Sequence, residues 1–172
     1  MSRVCVVFVA VLLAMLSGAA LACSPSRVPD FRTDLRNAQS VFVFQLTAAR
    51  HPAGTFTDLV IGDIRLLHVL KGKKPSFSSI HYSNGWCGGL RLDVGHYFVA
   101  ATSRSGTVLE LDAYDQSVVD ISASYHEDLA DPIGNSEHLL EIKKALRGQP
   151  LSRSVFDNRT IYYSQTIPAP PP

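Results

Sequence analysis

The chain has 172 residues, 46% of them hydrophobic, with 16 basic and 15 acidic side chains and three cysteines. Such a balance lacks the basic stripe by which nucleic-acid binders engage phosphates, and predicts no nucleic-acid partner. The length suits one domain with a core of its own.

The first residues read as a targeting signal. Arg3 supplies a positive start, an unbroken apolar run follows from Val4 to Leu16, and Ser17-Gly18 ends it. Ala20-Leu21-Ala22 then gives the small-x-small pattern behind which signal peptidase cuts. A membrane-spanning helix needs roughly 18 or more apolar residues. This run is shorter, and no later segment is long enough. Residues 1–22 are therefore predicted to be a leader, and the mature chain to start at Cys23, secreted or periplasmic, with no membrane span. Without Arg3 that chain holds 15 basic and 15 acidic residues and is formally neutral.

Cys5 falls in the leader, which leaves Cys23 and Cys87. Two cysteines in an exported chain point to a disulfide rather than two free thiols. Closing a loop of this length stabilises a fold by roughly 4 kcal/mol.

Strand signals fill the first part of the mature chain. Val41 to Leu46 is rich in β-branched and aromatic residues. A longer run from Thr57 to Leu70 is interrupted by Gly62, where a bulge or bend is expected, and Lys71-Gly72-Lys73-Lys74-Pro75 stops it. Phe77 to Ser83 gives a third strand, ended by Asn84-Gly85. His96 to Ala101 gives a fourth, entered through Gly95. Ser103-Arg104-Ser105-Gly106 reads as a hairpin turn into a fifth, Thr107 to Leu111. Five strands with no helix between them predict a mainly β fold, a small antiparallel barrel or sandwich. Residues 112–134 carry no steady period and read as a long irregular connection. A helix follows over 136–147, capped by Asn135 or Ser136, with Leu139, Ile142 and Leu146 on one face and Gly148 just past its end. The predicted domain thus runs over 23–148, and the proline-rich 149–172 is expected to be a mobile tail.

A search for chemistry finds little. There is no Gly-x-Ser-x-Gly elbow, no His-Glu-x-x-His helix and no phosphate-binding glycine loop. Six histidines are present, but His126-Glu127-Asp128 reads as a polar loop and His138 with Glu141 as a solvated helical pair. The expectation is a binding module rather than an enzyme, with no cofactor and no metal of its own. An oligosaccharide-binding or catalytic barrel face would have only scattered aromatics to use, such as Tyr82, Trp86 and Tyr97.

Three motifs then occur in order: Val69-Leu70-Lys71-Gly72, Trp86-Cys87-Gly88-Gly89-Leu90 and Val94-Gly95-His96-Tyr97-Phe98-Val99. Together with Ala38 to Phe44 and Cys23, they resemble the netrin-like (NTR) module, and more narrowly the bacterial relatives of the tissue inhibitors of metalloproteinases. The resemblance covers about residues 23–111. It implies a five-stranded OB-type antiparallel barrel, followed here by the C-terminal helix, with Cys23 tied to Cys87 so that the N-terminal segment is clamped across the barrel. It also implies a protein partner, in the sharpest form a zinc metalloprotease. The α-amine and carbonyl of Cys23 would chelate the protease zinc, Ser24 would enter its specificity pocket, and Pro25 would stiffen the Cys23-Ser24-Pro25-Ser26 segment. The animal inhibitors begin Cys-x-Cys and carry further disulfides; this chain has one cysteine there and allows one bridge. The alternative is a lipid-anchored envelope protein with Cys23 acylated, although Leu21 stands two rather than three residues before that cysteine.

Overall fold

The strand Ser40–Arg50 (β1) is the centre of the molecule, because both of its faces are covered. Phe42, Phe44 and Leu46 point to one side and Val41 and Val43 to the other, all five fully buried. Burying side chains of this size is worth roughly 1.5–3 kcal/mol each, so this alternation of large apolar residues calls for a layer on each side. The computed structural model describes residues 31–54, 58–85, 89–111 and 117–151.

Beside β1 lie Leu59–Lys71 (β2) and Tyr97–Thr102 (β4), both antiparallel to it. Ser79–Ser83 (β3) pairs with β2, Val108–Glu110 (β5) with β3, and Val118–Asp120 (β6) with β4. The resulting sheet has the order β5-β3-β2-β1-β4-β6. Leu109 of β5 and Val118 of β6 come from its two edge strands yet join one inner core with Phe42, Phe44, Phe77 and Phe98. The sheet is curled into a half-barrel.

All five expected strands are present, and four expectations are corrected. Among the described residues the strands number six, because Val118–Asp120 lies within the stretch read as irregular. The sheet is mixed rather than antiparallel, since β3 and β5 run parallel. Ser103 to Gly106 does not close a hairpin: β4 takes β1 and β6 as its neighbours, and β5 takes β3. Finally, Gly62 is not the bulge. The β1–β2 register slips at Thr47 on β1 and at Leu67 and Leu70 on β2. A one-residue slip moves the following side chains to the other face, and so Leu66 packs on the inner core while Leu67 and Leu70 pack on the outer one. Gly62 is small for a packing reason. A Cβ there would stand 2.6 Å from Leu46 Cδ1 and 2.8 Å from Ile80 Cγ2.

Two helices cover the outer face. Phe31–Asn37 (α1) places Phe31 and Leu35 on the sheet, with Ala38 just beyond. Glu137–Leu146 (α2) adds Leu139 and Ile142, both fully buried. Its N-cap is Ser136, whose side chain accepts from Leu139 N at 3.3 Å. Its C-terminus closes with Gly148 N donating to Ala145 O and Gln149 N to Lys144 O, around Gly148 at φ +90°, a Schellman arrangement. Leu140, by contrast, is 40% exposed. Between β6 and α2, Ile121, Tyr125 and Ile133 fill the same outer core, and packing continues past the helix to Leu151.

Candidate functional site

Antiparallel pairing gives the half-barrel two distinct ends. At one, β1 finishes, β2 and β4 begin, and β3 finishes. The chain also leaves β3 there at Asn84 and is described again from Gly89. At the other, β1 begins and β2 and β4 finish.

Cys23, Ser24, Pro25, Ser26 and Cys87, with the expected bridge and Trp86, lie outside the described residues. What surrounds Cys87 is described. Asn84 N donates to Asp58 O at 2.8 Å, Gly89 N to Gly85 O at 2.9 Å, and Leu90 N to Ser83 O at 2.7 Å. A Cβ on Gly89 would stand 2.3 Å from Gly85 O, and one on Gly85 2.0 Å from Asp58 Oδ2. The chain is therefore held on either side of 86–88, and Gly89 stands where neighbouring backbone leaves no room for a Cβ. Leu90 and Leu92 then plug this end of the inner core. Burial pushes the Tyr82 phenol, close by, up to about 12, with the Asp93 charge adding to the effect. Two large apolar side chains stay open at this end, Leu59 at 37% and Val94 at 53% exposed.

The motif glycines have their own reasons. Gly72, behind Lys71, sits at φ +78° with a Cβ position 1.9 Å from Gln39 O; Gly95, opening the Gly-His-Tyr strand, sits at φ +90°. Both are backbone conformations that favour glycine.

The densest polar cluster was not foreseen. Gln45 on β1, Arg65 on β2 and Tyr97 on β4 lie side by side on the outer face and hold Glu127, which arrives from the segment between β6 and α2. Arg65 donates to both Glu127 oxygens, at 2.7 and 2.6 Å, and to Gln45 Oε1 at 2.8 Å; Tyr97 OH donates to Glu127 Oε2 at 3.2 Å. Next to them His68 Nε2 meets Tyr125 OH at 2.9 Å, and the Tyr97 and Tyr125 rings lie 4.9 Å apart. The guanidinium holds the Glu127 carboxyl below the usual carboxylate range, and the carboxylate in turn raises Arg65. Burial, reinforced by Glu127, raises both tyrosines. Every polar head in this chain of contacts is engaged with another. This is the geometry of a clamp, not of a poised acid–base pair.

The remaining histidines are dispersed. His51 Nδ1 meets Leu59 O at 3.1 Å, His96 Nδ1 meets Asp120 Oδ2 at 2.8 Å, and His138 Nδ1 meets Ser124 Oγ at 2.5 Å. His81 stands 3.8 Å from Glu110, and His126 is exposed. Of the pairs weighed from the sequence, Glu127 is bound to Arg65 and Glu141 to Lys144. Among the described residues no three His, Cys, Asp or Glu gather as a metal site. The two described aromatics weighed from the sequence do not share a platform, because Tyr82 belongs to the inner core and Tyr97 to the outer face.

No family model and no curated protein matches the chain. Among the described residues, no helix is long and apolar enough to cross a membrane.

Proposed function

We propose that this is an exported NTR-like protein-binding module that engages its partner through the Cys87 end, in the sharpest form as an inhibitor of a zinc metalloprotease. The observation that carries the reading is the construction of that end: chain held on both sides of 86–88, the core plugged behind it, and Leu59 and Val94 left open. Protein interfaces form around apolar side chains held on a rigid support. The strand order adds support. The first five strands run β5-β3-β2-β1-β4, and the chain between β4 and β5 carries Arg104, whose Nη1 donates to Glu110 O on β5. A five-stranded barrel, partly open between β4 and β5 as OB barrels can be, accounts for this, with β6 added on the free edge of β4.

On this reading a disulfide from Cys87 holds Cys23 at the same end, and the neutral α-amine and carbonyl of Cys23 chelate the protease zinc. The test compares protein beginning at Cys23 with the same protein carrying one extra Ala before it, on a panel of zinc endopeptidases. The extension turns the amine into an amide, a poor zinc ligand, and should abolish inhibition while leaving the melting temperature unchanged. Failure of the unextended protein to inhibit any of the panel removes the inhibitor form and leaves the binding module.

A further inference from the structure

We infer that the end of the half-barrel opposite the Gly85 and Gly89 shoulders is an electrostatic docking surface for an anionic lipid bilayer. In the sequence Lys71, Lys73 and Lys74 look like a solvated turn. The fold enlarges that group. Because β1 begins where β2 and β4 finish, the turn after β2, the end of α1 and the turn after β4 share one rim. Lys71 Nζ donates to Arg36 O at 3.2 Å, Ser40 Oγ to Lys73 O at 3.1 Å, and Ser103 Oγ to Asn37 O at 3.2 Å. Arg36, Lys73, Lys74 and Arg104 are exposed and Lys71 is half-exposed. Among the described residues, Asp34 on α1 is an acid at this rim, lining a groove of about 370 Å³ with Asn37, Ser103, Arg104 and Ser117.

Two contrasts point to a membrane rather than a protein. Arg50, Arg65 and Arg91 are each paired with a carboxylate. Among the described residues, no ion pair is formed by Arg36, Lys71, Lys73 or Lys74; Lys143 and Arg147 on α2 are also without one, and what sets the rim apart is that its cations are gathered at one end of the sheet. Second, the described residues of the rim form no apolar centre of the kind that anchors protein partners. Among the described residues the exposed large apolar side chains are Leu59, Val69, Val94, Leu129 and Leu140; of these Val69, two residues before Lys71 on β2, stands singly beside the rim, and none lies on the turns themselves. A headgroup layer needs no such centre, and four to eight clustered Lys or Arg suffice to hold a protein there. Docked so, the protein faces the Cys87 end away from the surface. The inference rests on the charges alone and stands whether or not that end binds a protease.

The experiment is co-sedimentation of the full chain with vesicles of equimolar phosphatidylglycerol and phosphatidylcholine. Vesicles of phosphatidylcholine alone control for the apolar 4–16 run. Binding to the anionic vesicles should fall steeply with salt, and each rim charge removed should weaken it about five-fold. Lys73→Gln/Lys74→Gln should therefore weaken it about 25-fold, while Lys143→Gln/Arg147→Gln on α2 should leave it unchanged. Equal loss in both double variants would overturn the inference, because net charge and not the rim would be acting. So would equal binding to neutral vesicles, or binding to polyglutamate with none to the anionic vesicles.

Discussion

Arg65 and Glu127, 62 residues apart, meet as a two-pronged ion pair on the outer face of the sheet, with N–O distances of 2.7 and 2.6 Å. The arginine is pre-aimed by Gln45, which itself donates to Gly95 O at 3.1 Å. The pair thereby joins the segment between β6 and α2 to three neighbouring strands.

The energetic role of this clamp is small and its pH dependence has a definite sign. Arg65 holds the Glu127 carboxyl below its ordinary value of 4.5, so the folded protein resists protonating it more than the unfolded chain does. The stabilisation is fully present above the unfolded value and is lost as pH falls through the folded one. The side chains are 49% and 36% exposed, which limits the effect to about 1 kcal/mol. Glu127→Gln should thus lower the urea midpoint slightly at neutral pH and leave it unchanged in acid. An equal loss at both would mean that the carboxylate charge is not what matters.

Two glycines separate conformational strain from crowding. Gly95 has positive φ but open space around its missing side chain, and Gly95→Ala should cost roughly 1–2 kcal/mol. Gly72 has positive φ and a backbone carbonyl 1.9 Å from the Cβ position. Gly72→Ala should cost that amount and roughly 1–3 kcal/mol more, because Gln39 O is backbone and must shift. Thermal unfolding of the two variants decides it; equal losses would mean that the β1–β2 corner yields freely.

The strands that could be read from the sequence are those whose side chains declare themselves locally. Val41 to Leu46 is all β-branched or aromatic save Gln45 and Leu46, and the α2 helix shows its cap, its stripe and its terminal glycine. Val118–Asp120 is too short to show a period and exists because the edge of β4 is there to receive it. In α1 the buried residues recur at Phe31, Leu35 and Ala38, a helical spacing that was available but brief. The slips at Leu67 and Leu70 were invisible, because which leucine faces inward depends on the register with β1. Arg65, Tyr97 and Glu127 carry no shared motif, and only the sheet brings them together. The same holds for Arg36 beside Lys71.

The direct test of the account is a peptide map of the protein as its own cells produce it, digested without reduction after free thiols are blocked. A binding end built on the clamped N-terminus predicts one cross-linked species containing Cys23 and Cys87, with Cys23 as the first residue and its α-amine unmodified. Blocked, unpaired Cys87 together with an acyl group on Cys23 would contradict the account, and the lipid-anchored reading would take its place.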